Sequence, residues 1–137
     1  MGTWGIEPFE NDTAADWVWD LEEAPTIELL TTALDVGPAY IDADVGVLAV
    51  CAAHLLAAAR DPGRVVEIPE DLLEFLKKHR PALLAIDPQP AIAVLKRILD
   101  EDDSELAQLW QESDEDYAKW TEHLAGIIQT LAAPPVP

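Results

Sequence analysis

Apolar residues return every three or four positions along most of this chain, the period of a helix that buries one side. Ala14, Trp17, Val18 and Leu21 make the first such stripe. Asn11, Asp12 and Thr13 stand before it as capping residues, and Thr13-x-x-Asp16 has capping-box spacing. Asp12, Asp16 and Asp20 take the opposite or flanking face, and Trp19 falls off the stripe, so it is either covered by the preceding residues or left at the surface. Pro25 suits the first turn of a second helix that runs to about Asp35 with Ile27, Leu30 and Leu34 on one side, until Gly37-Pro38 ends it. A third helix, from about Ala43 to Arg60 with Asp42 as its cap, carries Val45, Leu48, Ala49, Ala52, Leu55, Leu56 and Ala59 at helical spacing. Its many alanines allow close approach by neighbours and predict the buried spine of a bundle.

Asp61-Pro62-Gly63 stops that spine, and Val65 to Ile68 is β-prone but too short to build a sheet, so it reads as an extended connector. Pro69-Glu70-Asp71 places acids at the start of a fourth helix and Lys77-Lys78-His79-Arg80 places bases at its end, in the sense the helix dipole favours. Pro81 to Ile86 reads as a separate apolar turn. Asp87 and Pro88 open a helix through Leu99 with Ile92, Leu95, Ile98 and Leu99 inward. Asp100 to Asp103, with Ser104 and Glu105, opens a short helix bearing Leu106, Leu109 and Trp110. Asp114-Glu115-Asp116 starts the last one, striped by Tyr117, Trp120, Leu124, Ile127, Ile128 and Leu131. The expectation is an all-α, compact bundle of about six or seven helices with no sheet. Residues 1–137 form one domain, with 1–11 as an N-terminal clasp and 132–137 as a proline-rich tail.

Charge sharpens the picture. Residues 1–59 hold eleven Asp or Glu and no Lys or Arg, residues 60–97 hold six acids against seven bases, and residues 98–137 hold ten acids against one base. Both ends are thus strongly negative, within a net charge of −19. Such a field repels nucleic acid and anionic membrane surfaces and attracts a basic protein or divalent cations. The plainer reading is that acidic faces confer solubility. No run reaches the roughly 20 uncharged residues of a membrane span, and neither a secretion signal nor a myristoylation pattern opens the chain. A soluble, cytoplasmic protein is therefore expected, and the single cysteine, Cys51, fits a reducing compartment.

Most catalytic chemistries lack a carrier. Gly2-x-x-Gly5 is not a P-loop and has no accompanying lysine. Asp100 to Gln111 departs from a calcium loop, with Glu105 where glycine is required and Gln111 at the twelfth position. Cys51 and His54 could reach one metal, but no second pair has zinc-site spacing and the helix around them is apolar. His54, His79 and His123 lack a metalloprotease context, and Ser104 and Ser113 lack a nucleophile elbow. Asp12, Asp16 and Asp20, at i, i+4 and i+8, could clamp a cation or simply face solvent. No catalytic residue, cofactor or metal ligand is assigned.

The N-terminal block, Gly2-Thr3-Trp4-Gly5 with Pro8-Phe9-Glu10-Asn11-Asp12 and Ala14-Ala15-Asp16, resembles the opening of a bacterial family, domain of unknown function 4259. Tyr40 to Gly46, Asp103 to Leu106, and Leu109-Trp110 look like later landmarks of the same family. The resemblance implies a small, helix-rich bacterial domain and brings no activity or catalytic residue with it. Large rings near a terminus call for an anchoring surface, and Trp4 and Phe9 would plug a hydrophobic groove beside Trp17.

The expected function is a non-enzymatic interaction module whose acidic, aromatic-edged faces bind or neutralise a basic protein. Its candidate contact residues are Trp4, Phe9, Asp12, Asp16, Trp19 and Asp20. A metal-dependent or acid–base enzyme using clustered Asp and Glu is the alternative, and a homodimer that buries an aromatic patch is a third reading.

Overall fold

Alanine decides the centre of this protein. In the computed structural model, which describes residues 12–23, 27–61, 63, 68 and 70–135, the helix Ala43–Arg60 is buried at every side chain from Ala49 to Ala59. Two helices precede it, α1 (Asp12–Glu23) and α2 (Ile27–Leu34), so it is α3. The sequence marks one inward stripe on α3, but from Ala49 to Ala59 its whole circumference is covered, because side chains this small leave room for neighbours on all sides. The other helices are α4 (Glu70–Leu84), α5 (Gln89–Ile98), α6 (Glu105–Trp110) and α7 (Asp114–Ala132), and α3 packs against each of the other six. No strand occurs among the described residues, and the architecture is the expected all-α bundle. The N-terminal block, with Trp4 and Phe9, lies outside the described residues. So do Pro25 and most of the 62–69 connector. Among the described helices, α3 alone is long and apolar enough to cross a membrane, and 78% of it is buried inside the bundle, as a core helix would be.

Local chemistry sets the helix ends. Gly37 has φ +74°, a left-handed conformation that glycine adopts without strain, and it turns the chain after α2. Ser104 and Ser113 cap α6 and α7 by accepting the amides of Ala107 and Asp116. Asp87 accepts the Gln89 amide at 3.0 Å ahead of α5. Arg80 reaches back from α4 and donates its Nε to the carbonyl of Ala59 at 2.9 Å, closing the end of α3.

Four sequence expectations are corrected. Thr13 does not act as a capping-box residue: it sits inside the first turn of α1, and its hydroxyl donates to Asp44 Oδ1 at 3.0 Å, joining α1 to α3. Asp42 occupies the cap position of α3 but makes no side-chain cap bond; Glu105 Oε1 accepts the Ala43 amide at 2.7 Å instead. Val45, placed on the inward stripe, is 39% exposed. Finally, α4 does not close at Arg80 but continues through Pro81 to Leu84. An interior proline costs about 3 kcal/mol, and continuing the helix keeps Leu83 in register with Leu72, Phe75 and Leu76, all buried. Burying one leucine returns about 1.5–3 kcal/mol, enough to offset most of that cost.

His54 is wholly buried on α3, and its ring stacks on His123 of α7 with centroids 5.6 Å apart and planes 8° from parallel. Trp110 and Trp120 stack likewise across α6 and α7, centroids 6.0 Å apart.

Gly46 lies where α3 meets α6, and a Cβ there would stand 3.4 Å from Leu106 Cδ2 and 3.6 Å from Ile41 Cγ2. A methyl group fits at that distance and a branched side chain does not. Gly46→Ala should therefore raise stability by about 0.5–1 kcal/mol through helix propensity, and Gly46→Val should lower it by about 1–3 kcal/mol through overpacking. Urea unfolding of the two variants checks both signs.

Candidate protein-interaction surface

One face of α1 is built for packing and the other is left to solvent. Ala14, Trp17 and Leu21 are buried on the side toward α3 and α4. Asp16, Trp19, Asp20 and Glu23 fall at i, i+3, i+4 and i+7 on the opposite side, and all are exposed. Trp19 is 49% exposed, so the sequence's two alternatives for it resolve to the surface. Asp16 and Asp20 make no hydrogen bond or ion pair among the described residues. Asp12 begins α1, but its side chain lies outside the described residues, as do Trp4 and Phe9. The structure thus brings three of the six candidate contact residues, Asp16, Trp19 and Asp20, onto one continuous face.

A second acidic region forms where segments distant in sequence meet. Ile41 and Ser104 make an isolated parallel bridge: the Ile41 amide donates to Asp103 O at 2.9 Å, and the Glu105 amide donates to Ile41 O at 3.0 Å. Arg97, at the end of α5, locks this junction. Its Nε donates to Asp103 Oδ2 at 2.6 Å, and its other nitrogens donate to the carbonyls of Gly37 and Ala39. The Tyr40 hydroxyl donates to Gln108 Oε1 at 3.1 Å, while Gln108 Nε2 donates to Glu101 O and Gln111 Nε2 to Glu101 Oε2. The hydrogen bond from Arg97 holds the Asp103 carboxyl below its ordinary range, against a smaller opposing effect of desolvation. Partial desolvation raises the Tyr40 phenol, and the charges of Glu105 and Asp42 add to that shift.

Sequence reasoning missed Arg97, which looked like one base in a near-neutral segment. Its signal was available: an arginine three residues before a run of four acids has a partner close at hand. The run itself is engaged in shaping its loop. Asp100 Oδ1 accepts the Asp102 amide, Asp103 takes Arg97, and Glu105 caps α3. Among the described residues no three His, Cys, Asp or Glu side chains converge as a metal site. Cys51 is fully buried, and burial pushes its thiol up, away from the reactive thiolate.

The Arg97–Asp103 pair carries a pH signature. Because the folded carboxyl titrates below its unfolded value of about 3.9, the pair stabilises above that value, and its contribution fades as pH falls through the lowered folded value. Asp103→Asn should be less stable than wild type at pH 7, and the gap should shrink steadily below pH ~4. Paired urea titrations across that range check it; a gap that does not change with pH would remove the ion pair as its cause.

A family model described as domain of unknown function (DUF4259) matches residues 2–123, a span that takes in α1 to α6 and the first half of α7. No curated protein and no solved structure matches the chain. The match begins within the N-terminal block and includes both segments that meet at the Ile41–Ser104 bridge. The chain belongs to the DUF4259 family.

Proposed function

We propose that the protein is an acidic interaction module that binds a basic protein partner through the outer face of α1. The observation that carries this reading is Trp19, half-exposed and set between Asp16 and Asp20 on a face that no other described helix covers. A large ring in contact with water gains from burial, and tryptophan is among the residues that dominate interface energies. The flanking carboxylates determine the sign of the partner. With eleven acids and no base in residues 1–59, the face attracts lysine- and arginine-rich surfaces and rejects acidic ones. Asp16 and Asp20 also differ from Asp103, Glu105 and Asp100, which already serve the fold through Arg97, the Ala43 amide and the Asp102 amide. Carboxylates without such duties are free to meet a partner.

Immobilised protein in a lysate of the source cells should recover a basic partner at ~0.05 M salt and release it toward ~0.5 M, since exposed charges are screened over shorter distances as salt rises. Trp19→Ala should weaken the interaction by about 2 kcal/mol, roughly thirtyfold. Adding Asp16→Asn and Asp20→Asn should abolish recovery with no change in far-ultraviolet circular dichroism. Equal recovery by wild type and the triple variant, or no salt-sensitive recovery at all, would defeat the proposal.

A further inference from the structure

A pocket of about 320 Å³ opens between the end of α1 and the middle of α4, and it joins an apolar floor to a charged rim. Leu21, Leu72 and Phe75 make the floor, and all three are buried. Glu22 of α1 and Glu74, Lys78 and His79 of α4 stand around it. The His79 ring lies against Phe75, with centroids 4.6 Å apart and planes tilted by 37°. A space of this size holds about ten waters at ~30 Å³ each, which puts it at the small end of ligand sites.

The rim carries both signs of charge, and these charges do not satisfy one another. Glu74 and Lys78 lie at i and i+4 on α4, the spacing at which Glu115 and Lys119 pair at 3.1 Å on α7, yet they form no ion pair. Glu22, Glu74 and Lys78 are exposed, and none of the three makes a side-chain hydrogen bond or ion pair among the described residues. Glu22 is also the penultimate residue of α1, whose last turn carries no base, so the negative end of the helix dipole adds to the two carboxylates. The rim thus offers acceptors to a cation and, at Lys78 and His79, donors to an anion.

These features restrict the ligand. A purely apolar molecule would draw Glu22, Glu74 and Lys78 out of water without a partner, and a molecule with one charge would leave the opposite sign in that position. A small molecule with an ammonium, a carboxylate and an apolar side chain meets all three surfaces at once. We propose that this pocket binds a free α-amino acid with an apolar side chain, its ammonium on Glu22 and Glu74, its carboxylate on Lys78 and His79, and its side chain on the floor. The proposal does not rest on the outer face of α1 binding a partner: Asp16, Trp19 and Asp20 do not line this pocket, and either site can fail without the other.

Titration of the full chain with L-leucine and L-phenylalanine, followed by amide chemical shifts, tests it. Both should bind with a dissociation constant on the order of 1 mM and move the amides of Glu22, Phe75, Lys78 and His79. Leucinamide keeps the ammonium without the carboxylate, and N-acetylleucine keeps the carboxylate without the ammonium. Each should bind about tenfold more weakly than L-leucine, the loss expected when a charged hydrogen bond is removed. Lys78→Gln should weaken L-leucine about tenfold and leave leucinamide unchanged, whereas Glu22→Gln with Glu74→Gln should weaken L-leucine about tenfold and leave N-acetylleucine unchanged. These side chains are exposed, so the variants keep the fold, which far-ultraviolet circular dichroism checks, and Trp19→Ala should leave binding as it is. No shift at about 20 mM of either amino acid, or shifts confined to other residues, would overturn the proposal. Leucinamide bound as well as L-leucine would assign the pocket to the N-terminus of a peptide, N-acetylleucine bound as well would assign it to a carboxylate alone, and either result would overturn it equally.

Discussion

The bundle depends on one helix that is buried around its whole circumference from Ala49 to Ala59. A helix that presents a single apolar stripe can be satisfied by one or two neighbours, but α3 offers burial on every side and must be enclosed. The six remaining helices enclose it, and small side chains make that geometry feasible: nine of its eighteen residues are alanine, glycine or cysteine. Where larger groups enter, they meet matched partners, as His54 meets the His123 ring from α7. An enclosed helix also presents its termini as a problem, because the free amides at one end and carbonyls at the other need hydrogen-bond partners away from bulk water.

Both ends are served from a distance. Glu105 of α6 accepts an amide at the start of α3, and Arg80 of α4 donates to a carbonyl near its end, so the caps of the central helix come from 62 and 21 residues away in sequence. The first of these depends on the Ile41–Ser104 bridge, which brings the two loops into register, and the bridge in turn is held by Arg97 spanning Asp103, Gly37 and Ala39. A substitution at Arg97 would accordingly be felt at α2's exit, at α6's start and at α3's first turn together. The N-terminus of α3 is also where α1 is attached, through Thr13 and Asp44, so the outer face of α1 is oriented by the same junction.

This explains which features could be read from sequence. Helix positions followed from periodicity and breakers, and the bounds of α3 match the expected Ala43–Arg60 because an alanine-rich apolar run between Asp42 and Asp61-Pro62 leaves little freedom. The outward position of Asp16 and Asp20 followed from the stripe they do not join, whereas the stripe left Trp19 open between cover by the preceding residues and exposure. Long-range caps were not legible: Asp42 is a good local capping residue, and nothing near it in sequence shows that Glu105 will take that duty. The passage of α4 through Pro81 is illegible for a related reason, since a local helix-breaking cost of about 3 kcal/mol is offset by the tertiary burial of Leu83, which no neighbouring residue announces. Val45 went wrong because spacing identifies the side of a helix but not whether a neighbour reaches that far along it.

Charge count alone therefore says little about which carboxylates act. The cluster at residues 100–105 is the densest in the chain and the obvious candidate for binding a cation or a base, yet Asp100, Asp103 and Glu105 are occupied by a guanidinium and by backbone amides, and Glu101 by the Gln111 side chain. Asp16 and Asp20 are sparser and make no such bonds among the described residues. A carboxylate that already accepts strong hydrogen bonds would have to break them to meet a partner, and each charged bond is worth about 1.5–3 kcal/mol, comparable to what a new contact returns. An unengaged carboxylate beside an exposed indole carries no such penalty. The availability of an acidic surface is thus set by what its groups are not already doing, and by that criterion Asp16 and Asp20 on the outer face of α1 are less engaged than Asp100, Asp103 and Glu105 at the junction.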